Sequence, residues 1–161
     1  ILLLRPFKAG NYVDVGGTAG TVKEIQLFAT ILNTPDNIRI IVPNSQIMGK
    51  VIKNFSAEDT RRVDMVIGIG YSSSIPKTME IVKSILDADE RILDEPAPQI
   101  AVSELGDSSV NFVVRPWTRV EDYWGVYFDL TEKIKKAFDA NGISIPFPQR
   151  DVHLYQHSEG E

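Results

Sequence analysis

Chemistry needs polar side chains that converge, and this chain offers few candidates. Its two histidines, His153 and His157, stand four apart, a spacing that brings two ligands onto one ion only on a helix. They lie in a segment that reads as extended, where four residues span about 13 Å, too far for one metal ion. The acidic pairs Asp89-Glu90 and Asp94-Glu95 fall around a helix end and a loop, where solvated charges are expected. Glu121-Asp122 precedes a helix, where negative charge suits the dipole. Cysteine is absent, which removes disulfides, thiol nucleophiles and thiolate metal sites.

Two loops invite comparison with phosphate cradles. Gly16-Gly17-Thr18-Ala19-Gly20 lacks the Lys-Ser/Thr pair of a Walker loop and is not G-x-G-x-x-G. Strands flank it, so a hairpin connection is expected. Gly70-Tyr71-Ser72-Ser73 ends a strand but lacks the arginine that an acylphosphatase-type loop uses. Arg61-Arg62 and Arg5 with Lys8 are short basic points in a chain of net charge -5. Nucleic-acid binding rests on phosphate neutralisation, so no nucleic-acid partner is expected. No catalytic residue, cofactor site or metal set emerges, and an enzyme is the weaker class.

The elements that hold these residues are easier to read. With 43% apolar and 24% charged residues, the 161-residue chain is of the folded kind, with room for one domain or two small ones. The stretch Ile38–Ser56 predicts two strands joined by a short Pro-Asn turn with one helical turn. Pro43 cannot donate to a ladder, so the first strand stops there. Ile38, Ile40 and Val42 point one way and Ile41 the other, so the second face needs a cover from this chain or another copy. Tyr12–Val15 is a short strand. Thr21–Leu32 reads as one long strand with a phase change, Val22 on one side and Ile25, Leu27, Ala29 and Ile31 on the opposite parity. A β-bulge near Lys23-Glu24 would bring them onto one face. Five short strands between Tyr12 and Phe55 make a small all-β barrel or SH3-like module.

After a polar junction at 56–60 the order becomes strand, helix, strand, strand, helix. Val63, Met65, Ile67, Ile69 and Tyr71 alternate as a half-buried strand. Ser72-Ser73-Ser74 supplies an N-cap with Pro76 in the first turn, and Met79, Val82, Ile85 and Leu86 fall at helical spacing up to about Asp89. Ile100 and Val102 mark a second strand, and Val110, Phe112 and Val114 a third. Glu121–Ala140 is the strongest helix, with the stripe Tyr123, Tyr127, Leu130, Ile134 and Phe138. Asp129-Lys133 and Glu132-Lys136 are acid-before-base pairs on it, and Asn141-Gly142 closes it. This is the beginning of a ferredoxin-like unit. Ile143-Ser144-Ile145 can add an edge strand, and Asp151–Gln156 is a last extended piece with no sheet partner of its own. Trp117 and Trp124 flank the loop before the helix, where packing between helix and sheet is expected.

No stretch reaches the roughly 18–20 apolar residues of a spanning helix. Ile1-Leu2-Leu3-Leu4, closed by Arg5-Pro6-Phe7, reads either as an ordinary element start or as the tail of a longer apolar segment cut from a membrane.

Several runs, taken in order, resemble the small-conductance mechanosensitive channel family. They are Arg5-Pro6-Phe7-Lys8-Ala9-Gly10-Asn11-Tyr12-Val13-Asp14-Val15, Gly17–Val22, Ile41-Val42-Pro43-Asn44-Ser45 and Asn54-Phe55-Ser56. Glu104–Arg115, Phe138–Ile143 and Pro146–Val152 continue the likeness. The resemblance implies a five-stranded Sm-like (SH3-like) β barrel at 10–58, a ferredoxin-like α+β domain at 59–149 and a C-terminal strand and tail at 150–161, with 1–9 as pore-helix end and linker. It implies the cytoplasmic vestibule of a tension-gated channel that releases ions and small osmolytes, built as a homoheptamer on the inner membrane and carrying no cofactor. Ile41, Val51, Asp151, Val152, His153 and Leu154 would then meet neighbouring subunits, the last four in a small barrel at the base of a cage. Arg5, Pro6, Phe7 and Lys8 would lie next to the membrane. The alternative is a soluble module of the same two folds that binds RNA or protein.

Overall fold

The computed structural model describes residues 6–156. Two compact units arise, one from the chain up to Arg61 with Arg119–Glu121, the other from Arg62–Thr118 and the chain from Asp122 onward. The short strands β6 (Thr60–Arg62) and β10 (Trp117–Arg119) occupy the stretches where the chain passes from one unit to the other.

The first unit contains β1 (Tyr12–Val15), β2 (Ala19–Ile25), β3 (Ala29–Asn33), β4 (Arg39–Pro43), the short helix α1 (Asn44–Met48) and β5 (Ile52–Asn54). They form one antiparallel sheet in the order β4-β3-β2-β1-β5. Its buried face gathers Val13, Val15, Val22, Leu32 and Val42 with Phe7 and Ile47 into a small core. Gly16 and Gly17 turn β1 into β2 at φ +67° and +93°, where a side chain is strained. A Cβ on Gly16 would stand 2.1 Å from Cδ of Lys50, so close approach also selects glycine there.

The long strand expected over 21–32 is two strands. Gln26, Leu27 and Phe28 form a tight turn, in which the Gln26 amide donates to the Ala29 carbonyl at 2.8 Å. Parity counted through that turn goes wrong, and the buried residues of β3 are Thr30 and Leu32 while Leu27 is exposed. The bulge falls where it was expected, with Val22 opposite Leu32 and Glu24 opposite Ile31. Ile38 lies before β4 and is exposed, so only Ile40 and Val42 of the expected trio turn toward the core. Among the described residues no ladder joins β4 to β5, so strand pairing does not close the sheet into a barrel.

The second unit holds β7 (Met65–Ile69), α2 (Ile75–Asp87), β8 (Gln99–Leu105), β9 (Val110–Arg115) and α3 (Tyr123–Asn141). Its sheet runs β7-β9-β8, antiparallel throughout, with Phe112 of β9 facing Ile67 on one side and Val102 on the other. Val82 and Leu86 of α2 and Val126, Leu130, Ile134 and Phe138 of α3 pack with Phe112, Val110 and Val114. The Ser74 hydroxyl caps α2 by accepting from the Lys77 amide, and Gly142 ends α3 at φ +70°. The alternation of β7 stops at Ile69, because Tyr71 is exposed and its hydroxyl donates to the Gly106 carbonyl.

The edge strand expected at 143–145 does not form, and the piece at 151–156 has no sheet partner among the described residues of its own chain, as expected. Residues 143–145 carry one sheet-like bond, from the Gly70 amide to the Ser144 carbonyl at 2.8 Å, before Pro146 and Pro148 interrupt the supply of donors. Residues 151–156 make no described ladder and are exposed throughout.

Asp89 is no solvated charge. It is 8% exposed and accepts from Nε and Nη2 of Arg91 at 2.9 and 2.7 Å, with Lys133 at 3.6 Å. Arg91 also reaches Asp129 at 2.8 Å, so Asp129 and Lys133 are drawn into this network instead of pairing along the helix. Glu132 and Lys136 do pair. The hydrogen bonds from Arg91 hold the Asp89 carboxyl down to about 2, against an ordinary 3.8.

Truncating Phe112 to alanine should cost the second unit about 3–5 kcal/mol, read as a shift of its urea midpoint. Asp89→Asn should cost about 1–3 kcal/mol at neutral pH, because Arg91 and Lys133 lose a charged, buried acceptor. The folded carboxyl titrates below the unfolded one, so its contribution is complete above about pH 4. It should then fade toward about pH 2, and the stability gap between the two proteins should close over that window.

Candidate functional site

Among the described residues no group of three or more His, Asp or Glu side chains is placed to hold a metal ion. His153 is exposed, and His157 lies outside the described residues. The Gly70-Tyr71-Ser72-Ser73 loop is occupied with its own fold: Ser73 donates its amide to the Gly70 carbonyl and accepts from the Ser144 amide. It borders an open polar cavity of about 500 Å³ that Asp107, Ser108, Arg150 and Asp151 also line. Nothing in that arrangement pairs a nucleophile with a base.

What the surface does offer is apolar side chains beside unpaired strand edges. β4 and β5 are the two outer strands of the first sheet. Ile41 projects from the exposed face of β4, 64% accessible, opposite Ile31 of β3. Val51 precedes β5 and is 75% accessible. An outer strand presents unsatisfied N–H and C=O groups, and apolar residues beside it make it adhesive unless something covers it. In the second unit Val152 and Leu154 are similarly bare, with Asp151 and His153 between and beside them.

Pro6, Phe7 and Lys8 are placed differently from a loose linker, and Arg5 lies outside the described residues. Phe7 is 3% exposed and belongs to the first unit's core. Asn11 and Asn54 hold the residues around it: the Lys8 amide donates to Oδ1 of Asn11 at 3.0 Å, and Nδ2 of Asn54 donates to the Pro6 carbonyl at 3.3 Å. The two acceptors that Asn54 meets stand more than forty positions away, so no local pattern marks this role.

Asn44 also acts at a distance in sequence. Its Nδ2 donates to the carbonyls of Gln26 and Leu27 at 2.9 and 3.0 Å, its backbone amide to the Phe28 carbonyl, and its Oδ1 accepts from buried Thr30. The β2–β3 turn is therefore held by a residue at the start of α1.

Trp124 also departs from the expected packing between helix and sheet. It is 59% exposed on α3 and stacks on Phe128 at 5.7 Å, with Tyr127 edge-on to both. Among the described residues no helix is long and apolar enough to cross a membrane.

Residues 1–57 match the family model described as the mechanosensitive ion channel beta-domain, and residues 63–145 match that described as mechanosensitive ion channel MscS, C-terminal. A small-conductance mechanosensitive channel of Edwardsiella ictaluri is 49% identical over 156 residues, covering 97% of this chain and 54% of that protein. A Helicobacter pylori protein of the same description is 34% identical and covers 96% of this chain. The crystal structure of Helicobacter pylori MscS in its closed state superposes with a TM-score of 0.89, over 97% of this chain and 62% of that one, at 34% identity. Arabidopsis thaliana MSL1 shares the fold at a TM-score of 0.75 and 22% identity, over 91% of this chain and 55% of that one. The chain spans about half the length of the curated relatives it matches.

Asn44→Ala should remove the side-chain bonds to the Gln26 and Leu27 carbonyls and to Thr30, keep the backbone bond to Phe28, and lower the first unit's stability by about 1–3 kcal/mol. Amide exchange at Ala29 and Thr30 should rise while β1 and β5 stay protected.

Proposed function

Because this chain belongs to the MscS family of mechanosensitive ion channels, we propose that it is the cytoplasmic vestibule of a tension-gated channel. In the whole protein it hangs beneath membrane-spanning helices on the inner face of the cell membrane. Under hypoosmotic swelling the channel opens, and ions and small osmolytes leave through the cage. Seven copies assemble, with residues 10–58 as an Sm-like domain, 59–149 as a ferredoxin-like domain and 150–161 as a strand and tail.

The observation that carries this reading is the succession of two channel-family domains along one chain, at 1–57 and 63–145. The strand order β4-β3-β2-β1-β5 supports the Sm-like part, since it leaves one outer strand for each of two neighbours in a ring. Ile41 and Val51 sit where such contacts would form. The order β7-β9-β8, with Ser144 bonded to the end of β7, supports the ferredoxin-like part. Asp151, Val152, His153 and Leu154 lack partners within the described chain and suit a barrel shared by several copies. Pro6, Phe7 and Lys8, with Arg5 before them, form the membrane-proximal entry.

The full-length protein in liposomes should pass stepwise currents when suction is applied to a patch. Silence under suction, with protein present in the bilayer, would overturn the reading. Ile41→Lys should leave the first unit's own stability within about 0.5 kcal/mol, because the side chain is exposed. The same change should lower the mass of the full-length assembly in light scattering, and an unchanged mass counts against the ring contact. Deleting residues 151–161 should loosen the assembly without unfolding the subunit. An unaltered mass and thermal melt would speak against the shared barrel.

A further inference from the structure

Asn54 ends β5, and its side-chain amide uses both N–H donors and its carbonyl oxygen. Nδ2 donates to the Pro6 carbonyl at 3.3 Å and to Oδ1 of Asn11 at 3.1 Å, while Oδ1 accepts from the Ser56 amide at 3.0 Å. Asn11 is 8% exposed, and its Oδ1 also receives the Lys8 amide at 3.0 Å. Its backbone amide donates to the Lys8 carbonyl, and its carbonyl accepts from Val22 of β2. Ser56 completes the set by accepting the Tyr12 amide of β1 at 2.9 Å. Residues 6–8 are thus tied to β5 and to the start of β1 through the side chains of Asn54 and Asn11, and to β2 through the Asn11 backbone, on either side of a phenylalanine sunk in the core.

We propose that Asn54 is a positioning residue that couples the entering segment Pro6–Lys8 to the first unit, so that this segment cannot move without carrying the sheet. The proposal rests on the channel reading above. Tension that shifts a membrane-spanning segment ahead of Pro6 then has to move the whole sheet as its load. The site needs two donors and one acceptor on one short arm, which the asparagine amide supplies. An aspartate of the same shape keeps the acceptor for Ser56 but turns oxygen toward two oxygens, those of Pro6 and Asn11.

The test uses the full-length channel with Asn54→Asp and Asn54→Ala, read in two ways. Amide exchange at Lys8 should rise about two- to ten-fold in both variants, the loss of roughly one hydrogen bond, while β1 to β3 stay as protected as before. In patches both variants should open at lower tension with unchanged unit conductance. Wild-type exchange at Lys8 in Asn54→Asp would overturn the proposal, since Phe7 packing alone would then hold the segment. Faster exchange with an unchanged opening tension would overturn the coupling role. If Asn54→Ala fails to fold, Asn54→Asp decides alone. A wild-type channel silent under tension would defeat the channel reading instead, and the exchange result would still judge the tie.

Discussion

A strand at the end of a sheet keeps half of its backbone N–H and C=O groups turned outward with nothing inside the sheet to meet them. The first unit has this condition at β4 and again at β5, and its few core residues leave little else to stabilise it. Most isolated domains blunt such edges with charge or bulges. Here the bulge lies in the interior, at Val22 and Glu24, and although Arg39 and Lys53 put one charge on each outer strand, Ile41 and Val51 stand exposed beside them. In the proposed assembly these edges are completed from outside, and a ring of identical units is the simplest closure that uses two different edges.

Inside the unit, the equivalent task of satisfying backbone groups falls to asparagine. Asn44 meets three turn carbonyls, and Asn54 and Asn11 meet the Pro6 carbonyl and the Lys8 amide. A small domain with so little apolar area benefits from such joints, because each replaces water with a fixed partner at low cost in side-chain entropy. The second unit relies on the reverse balance. Its sheet and two helices enclose a continuous apolar core, and its principal polar tie is the Asp89–Arg91–Asp129 network.

Legibility in the sequence followed the range of the interactions. The alternation of Val110, Phe112 and Val114, the Ser74 cap and the Gly142 stop are local signals, and each lies where the residues place it. The β2–β3 turn was invisible, since Gln26-Leu27-Phe28 contains no turn-forming residue and its polar groups are met by Asn44 far along the chain. Asp89 misled for the same reason, because the lysine and one of the carboxylates in its network come from α3. Val126 was missed from the helix stripe, and Tyr123 and Tyr127 proved only partly buried, because the stripe is set by what α3 packs against. Contacts at the proposed subunit edges leave no periodic trace, beyond an isoleucine of the wrong parity at position 41.

The turn held by Asn44 has a practical side. Because its geometry is fixed from a distance, the side chains at its tip are released from structural duty, and Phe28 stands 81% exposed there. In a chain without any native thiol, one cysteine at position 28 becomes a single chemically addressable point on a rigid hairpin. A dye or spin label placed there reports the attitude of the sheet itself, with no background from the other residues of this chain.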